Sequence, residues 1–138
     1  MADYDKPLPR PEIPELTQPF WDAAKRHELV LPRCLRCNQY FWYPREICPD
    51  CLQTEWEWAP ASGRGRLYSF TVVRQPLLPQ FADDVPYAYA LVQLDEGPRM
   101  VTNIVDCEIP DGLEVDMLVE ATYDDVSDDY TLVKFRPA

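Results

Sequence analysis

Short apolar segments alternate with turn residues along the second half of the chain. Clusters of Gly, Pro and Asp separate segments rich in Val, Leu, Tyr, Phe and Thr, which have the composition of strands. The predicted strands are Arg66–Arg74, Ala88–Leu94, Arg99–Val105, Val115–Tyr123 and Tyr130–Arg136. Closing such a sheet removes its exposed edges, so short strands in one small unit favour a barrel. The pattern predicts a mainly β chain with a five-stranded OB-like barrel over residues 61–138.

The first third of the chain has a different pattern. Five prolines within residues 1–19 predict an extended arm, because proline disrupts regular elements. Thr17 is the predicted N-cap of a short amphipathic helix over residues 20–31, which turns into a strand near Leu29. Residues 1–33 are therefore predicted to form an N-terminal helical arm that packs on the rest of the chain or docks on a partner.

Charge excludes some partners. The formal net charge is −11, and residues 67–138 carry most of it, with four basic against fourteen acidic side chains. This half would repel a phosphate backbone, so nucleic acid is not an expected partner. The chain has no apolar run of membrane-spanning length, and an acidic segment opens it, so neither a membrane span nor a secretory signal is predicted. We expect a cytoplasmic location.

The strongest local signal is a pair of C-x-x-C motifs separated by ten residues, with Cys34, Cys37, Cys48 and Cys51 as the predicted metal ligands. Two such knuckles converge four thiolates tetrahedrally on one metal, and structural zinc is the leading interpretation, with iron as the alternative. A disulfide pair needs an oxidising compartment, and a dithiol oxidoreductase needs only one such motif. Residues 34–60 are therefore predicted to form a zinc ribbon without a catalytic position, and residues 52–66 are predicted to contain turns.

Two features of the ribbon leave questions open. Asn38 and Leu52 follow the knuckles where glycine is common, and leucine adopts the left-handed backbone region less readily than asparagine. The geometry of the second knuckle is therefore open. Between the knuckles, the aromatic run 40–43 is predicted to pack between the metal site and the barrel, and ligand stacking is the less favoured alternative.

The chain resembles the DUF35 family. The similar features are Val30–Cys37, Tyr43–Arg45 before Cys48–Cys51, and Gly63 with Gly65 at the start of the barrel. The resemblance covers about residues 16–136 and implies a rubredoxin-like zinc ribbon joined to an OB-fold domain. It also implies an acyl-CoA-associated protein whose partner is a thiolase-like enzyme, namely a thiolase, acyltransferase or retro-aldolase. In such complexes the thiolase-fold subunit carries the chemistry.

The residues themselves provide no recognisable catalytic set. His27 is the only histidine and lies in the helix segment, and none of the three serines stands in a nucleophile-elbow sequence. Cys107 follows an apolar strand and is predicted to be a small buried side chain. The acidic pairs between strands lack a calcium-loop pattern and are interpreted as solvated turns.

Candidate ligand contacts lie at the start of the barrel. Arg64, Arg66 and Arg74 stand at even offsets, so a regular strand would direct all three to one face, where they would meet a CoA ester. The loop at residues 76–82 is unusually apolar and stiffened by proline. Its predicted acyl or partner contacts are Leu77, Leu78 and Phe81. Ordinary surface charge and packing over the barrel mouth are the structural alternatives.

Together these features predict a non-catalytic accessory subunit of a thiolase-like enzyme acting on acyl-CoA esters, which supports assembly and CoA-ester binding. The prediction rests on the family resemblance, since fold alone does not determine function. One alternative is a free-standing acyl-CoA binding protein. Single-stranded nucleic-acid binding by the OB barrel and rubredoxin-like electron transfer through iron are the others.

Overall fold

The structure is a computed structural model that describes residues 4–138. Its helix is α1 (Pro14–Lys25), and a single 3₁₀ turn covers Pro79–Phe81. The strands in these residues are β1 (Val30–Cys34), β2 (Trp56–Pro60), β3 (Arg64–Val73), β4 (Tyr87–Leu94), β5 (Arg99–Ile104), β6 (Leu118–Asp125) and β7 (Thr131–Pro137). The predicted mainly β architecture, with one helix before a ribbon and a five-stranded barrel, is confirmed.

Helix α1 begins earlier than predicted. Pro14 stands in its first turn, where a residue without an N–H loses no helical hydrogen bond, and Ile13 precedes it without a side-chain cap. The predicted N-cap, Thr17, is instead a buried residue inside the helix whose hydroxyl lies 3.5 Å from the Pro14 carbonyl oxygen. The helix also ends early, at Lys25. Within the described part of the chain, no helix is long and apolar enough to cross a membrane.

The barrel strands follow the order β3-β4-β5-β7-β6, and β6 pairs with β3 to close the barrel. All neighbouring strands are antiparallel except β5 and β7, which are parallel where Ile104 pairs with Phe135. This is the Greek-key order of an OB-fold. The five predicted barrel strands are confirmed, with ends displaced by at most three residues.

The ribbon contains a hairpin in which β1 pairs antiparallel with β2, from Val30 opposite Pro60 to Cys34 opposite Trp56. Strand β2 lies where only turns were predicted, so that prediction was wrong. Its residues become a strand because β1, more than twenty positions earlier, supplies the hydrogen-bonding partner.

One apolar core joins the helix, the first ribbon strand and the barrel. Phe20, Leu29 and Leu31 belong to the same buried cluster as the inward-facing residues of the barrel, which are Leu67, Ala88, Ala90, Val92, Leu94, Met100, Ile104, Val119 and Phe135. The Thr102 hydroxyl, also buried, donates to the Val133 carbonyl oxygen at 3.0 Å. The ribbon is therefore packed on the barrel through shared side chains.

Strand β3 bends tightly against β4. An ideal Cβ at Gly65 would collide with the Gln93 carbonyl oxygen and lie 2.9 Å from Val92 Cγ1. Farther along, the register with β4 shifts between Leu67 and Ser69, which marks a bulge. Glycine is required at position 65 by this close approach.

We therefore expect Gly65→Ala to destabilise the protein by about 1–3 kcal/mol, because the backbone of a packed barrel must move to admit the methyl group. Urea unfolding monitored by circular dichroism measures the change. Arg64→Ala, at an exposed neighbouring position, is the matched control. Equal stability of the two variants would contradict the argument.

The turn after α1 is tied to the barrel by a polar contact. His27, with φ of 60°, places Nε2 at 3.0 and 3.1 Å from the two Asp125 carboxylate oxygens and stacks its ring on Tyr123. The buried Thr131 hydroxyl donates to the same carboxylate at 2.6 Å. The hydrogen bonds from Thr131 and then His27 lower the pKa of Asp125.

Because this pKa is lowered in the folded state, the contribution of ionised Asp125 to stability is present above the ordinary carboxyl pKa. It is lost as the pH falls through the lowered value. Thr131→Val should raise the pKa of Asp125 toward its ordinary value, which a carboxyl-carbon NMR titration measures. An unchanged titration would show that the hydroxyl does not stabilise the carboxylate. Thr122→Val on β6 is a control outside this contact.

Candidate functional site

The four predicted metal ligands converge at one end of the ribbon hairpin. Their sulfur atoms all lie within 4.8 Å of one another, with 3.5 Å between the sulfurs of Cys34 and Cys51 and 3.7 Å between those of Cys37 and Cys48. Cys34 and Cys48 are fully buried, and the other two are half-buried. The C-x-x-C spacing thus brings the thiols together as predicted.

The two knuckles have the same backbone geometry. In the first, Cys34 donates its N–H to Gln39 and accepts one from Asn38. In the second, Cys48 is bonded in the same way to Gln53 and Leu52. The residues after the knuckles have φ of 62° and 64°, so leucine does adopt the left-handed region in the second knuckle. A leucine there costs about 1–2 kcal/mol relative to glycine, which the convergence of the site must offset.

The four thiols differ in acidity. Backbone N–H groups, first that of Cys37 and then that of Arg36, point at the Cys34 sulfur and lower the pKa of Cys34 to about 6. The Gln53 N–H favours the Cys51 thiolate, but desolvation and the neighbouring thiols outweigh that bond and raise the pKa of Cys51 to about 12. Ionising all four thiols at neutral pH therefore requires a cation among them.

The geometry fits a tetrahedral metal ion. A zinc ion with four Zn–S bonds of about 2.3 Å requires sulfurs roughly 3.8 Å apart, close to the 3.5 and 3.7 Å observed. The four cysteines would hold the ion and leave it no free position for water or substrate. The donor set suits zinc and also iron, and in either case the ion would stabilise the fold of the ribbon.

We expect the purified protein to contain about one tetrahedral metal ion per chain. A chelator or acid should remove it, since protons compete for the thiolates. Metal analysis and the near-ultraviolet signal of Trp56, which packs beside the site, measure the loss. Cys48→Ser should abolish stoichiometric metal, whereas Cys107→Ser should retain it. Retention of full metal by Cys48→Ser would contradict the assignment.

The aromatic run between the knuckles packs as predicted between the metal site and the barrel. Phe41 lies in a buried cluster with Cys34 and Cys48, and its ring makes an edge contact with Trp56. The next residue, Trp42, packs on the main core, with its ring centroid 4.8 Å from that of Phe20. The run thus connects the two clusters.

The structure separates the three predicted arginines. Arg64 and Arg66 are exposed on β3, and the Arg66 guanidinium donates to the Asp116 carbonyl oxygen at 3.1 Å. Arg74 lies beyond the end of β3, after the bulge. Because the bulge breaks the alternation, the even offset no longer places Arg74 on the face shared by the other two.

The predicted contacts in the apolar loop differ in exposure. Leu77 is 83% exposed and Leu78 is 41% exposed. Phe81 is half-buried, with its ring 6.4 Å from that of Tyr87 and the Lys6 ammonium 6.0 Å from its centroid. Packing on the chain therefore covers part of Phe81, whereas Leu77 projects into solvent.

Sequence reasoning missed a groove of about 390 Å³ between α1, the ribbon and the outer face of β4, β5 and β7. Its lining is largely apolar and includes Trp21, Trp42, Tyr89, Val101 and Val133. No local signal predicts it, because the lining residues come from segments far apart in sequence. The alternation in the predicted strands indicated only that some apolar side chains would face outward.

The remaining reactive side chains lack catalytic partners among the described residues. Desolvation, with a smaller effect from Asp106, raises the pKa of Cys107, which disfavours its thiolate. Cys107 is half-buried against the main core, which agrees with the predicted packing role. His27 is bound to Asp125, and no serine or cysteine hydroxyl or thiol is bonded to its ring.

A four-cysteine ribbon packed on a closed OB-fold barrel defines a zinc-ribbon OB protein. Residues 21–57 match the family described as "ChsH2, rubredoxin-like zinc ribbon domain", and residues 58–124 match "ChsH2, C-terminal OB-fold domain". The chain belongs to the DUF35 family that includes ChsH2.

Several characterised relatives are similar over most of the chain. It is 38% identical over 94% of its length to the "probable enoyl-CoA hydratase alpha subunit" of Thermomonospora curvata, and spans 40% of that protein. It is 37% identical to a "DUF35 domain-containing scaffold protein" of Methanothermobacter thermautotrophicus, covering 79% of this chain and 81% of the relative. The "benzoylsuccinyl-CoA thiolase subunit BbsA" of Thauera aromatica is 30% identical, covering 89% and 84%.

A solved structure has the same fold. The "Ltp2-ChsH2(DUF35) aldolase" contains a chain that superposes with a TM-score of 0.81 at 38% identity, covering 93% of this chain and 98% of that one. The similarity thus extends across both the ribbon and the barrel.

Proposed function

We propose that this protein is a scaffold subunit of a thiolase-fold enzyme that acts on acyl-CoA esters, and that the partner carries the catalytic residues. The observation that carries the proposal is the similarity to almost the whole DUF35 chain of a solved aldolase complex. Relatives named as a scaffold protein and as a thiolase subunit support the same role.

The chemistry of the described residues supports a non-catalytic role. The four clustered thiols form a closed donor set, which leaves a bound ion no position for substrate. Burial raises the pKa of Cys107, and His27 is engaged with a carboxylate away from any nucleophile. Acyl-transfer or aldol chemistry would therefore have to come from the partner.

The exposed loop is the proposed contact with the partner or with the acyl group. Leu77 and Leu78 expose apolar surface that docking would remove from water, at roughly 25 cal/mol per Å². Phe81 fixes the loop against Tyr87. We assign Arg64, Arg66 and Arg74 as contacts for the phosphates of the ester, Arg74 from a separate position beside the loop.

A free-standing acyl-CoA binding protein is the second candidate. The apolar groove of about 390 Å³ favours it, because pockets of this size bind small molecules. Affinity purification from the native lysate separates the candidates. A thiolase-fold chain recovered in near-equal amount supports the scaffold role, whereas a chain recovered alone that binds CoA esters supports the second candidate.

Phe81→Ala should weaken partner binding or ester binding on the order of tenfold, because a well-packed aromatic anchor often dominates a contact. Calorimetric titration measures the affinity, and metal analysis should give the same content as in the parent chain. Val115→Ala removes a similarly exposed apolar side chain from another loop and serves as the control. Equal affinity in both variants would remove the loop from the proposed contact.

A further inference from the structure

The ribbon hairpin has one unpaired strand edge. In an antiparallel pair, hydrogen-bonded positions alternate along each strand. The bonds from Ala61 N–H to the Leu29 oxygen and from Leu35 N–H to the Glu55 oxygen bracket the β1–β2 pair. The odd-numbered residues of β2 therefore face β1, and the backbone groups of Trp56 and Trp58 point to the opposite edge.

These backbone groups have no partner among residues 4–138. Neither Trp56 nor Trp58 contributes its N–H or carbonyl to the backbone hydrogen bonds outside the regular elements, and β1 is the only strand paired with β2. The Trp56 indole donates to the Glu46 oxygen, which leaves the main chain open. The other edge of the hairpin is covered, because Phe41 donates to Pro32 and Cys34 donates to Gln39.

The side chains along this edge follow a regular pattern. Glu55 and Glu57 are exposed, whereas Trp56 and Trp58 are half-buried with their ring centroids 5.6 Å apart. Alternation in a strand places the two carboxylates on one face and the two indoles on the other. Within the described chain, Glu57 makes no ion pair, and Glu55 has only a 3.8 Å contact with Arg36.

We propose that an extended segment of the partner subunit adds a third strand to the open edge of β2. Main-chain hydrogen bonds to Trp56 and Trp58 would provide affinity, as in other cases of strand addition. Cross-strand pairing favours a segment in which lysine or arginine lies beside the two glutamates and apolar residues lie beside the indoles. This inference rests on the proposed scaffold role, because it requires a partner chain.

Charge selects a foreign strand over a second copy. Two copies of β2 paired edge to edge would bring their Glu55 and Glu57 carboxylates together, in a protein whose net charge is −11. The strand is also short and ends at Pro60, features that discourage pairing between identical edges. A basic segment would meet neither obstacle.

Residue-resolved amide hydrogen exchange on the copurified complex tests the proposal. In the isolated chain, the Glu57 and Ala59 amides should exchange slowly and the Trp58 amide quickly, since only the former pair with β1. In the complex, the Trp56 and Trp58 amides should slow at least tenfold. A complex that forms without this protection overturns the strand addition alone, whereas failure to recover any thiolase-fold partner overturns the scaffold role as well.

Charge variants provide an independent test. Glu57→Lys should weaken the complex on the order of tenfold, as favourable cross-strand charge pairs become repulsive. Glu108→Lys changes the net charge equally at an exposed loop position and should leave affinity unchanged. Equal effects would show general electrostatics and overturn the edge assignment. Protection of the Trp58 amide in the concentrated isolated chain would identify a second copy as the occupant and would also overturn it.

Discussion

The arrangement of the whole chain depends on burial of the helix and the first ribbon strand against the barrel. Phe20, Leu29 and Leu31 have few apolar neighbours within their own segments, and they are buried only because they complete the barrel core. Hydrophobic burial therefore sets where the ribbon lies. It also creates the groove between α1, the ribbon and the outer barrel face, which exists only when the parts pack together.

The ribbon and the barrel solve the problem of small size in different ways. The barrel closes on itself, and its inward-facing side chains fill a core. Around the cysteines the buried cluster is small, with Phe41 as its one large buried side chain. A metal ion among four thiolates supplies binding free energy that such a cluster lacks, which is the usual reason for a structural metal in a small unit. In this arrangement the protein acts through its surfaces.

Local patterns predicted much of this structure. The five barrel strands and the four thiols were predictable, because alternation and C-x-x-C spacing are properties of neighbouring residues. Strand β2 was missed since its pairing depends on the distant β1, and the bulge after Leu67 was missed because it is defined by the register with β4. The groove and the open edge of β2 likewise arise from tertiary packing. The helix start was wrong because Pro14 was interpreted as part of the arm, although its backbone suits a first turn.

Two consecutive side chains connect parts of the molecule that otherwise have separate cores. Phe41 belongs to the cluster around the cysteines, and Trp42 lines the groove beside the barrel. A change in the cysteine site is therefore transmitted to the groove through a single peptide unit. In a cell short of metal, apo chains would keep their barrel and lose the shape of this face, so metal supply would determine how many subunits are competent for assembly.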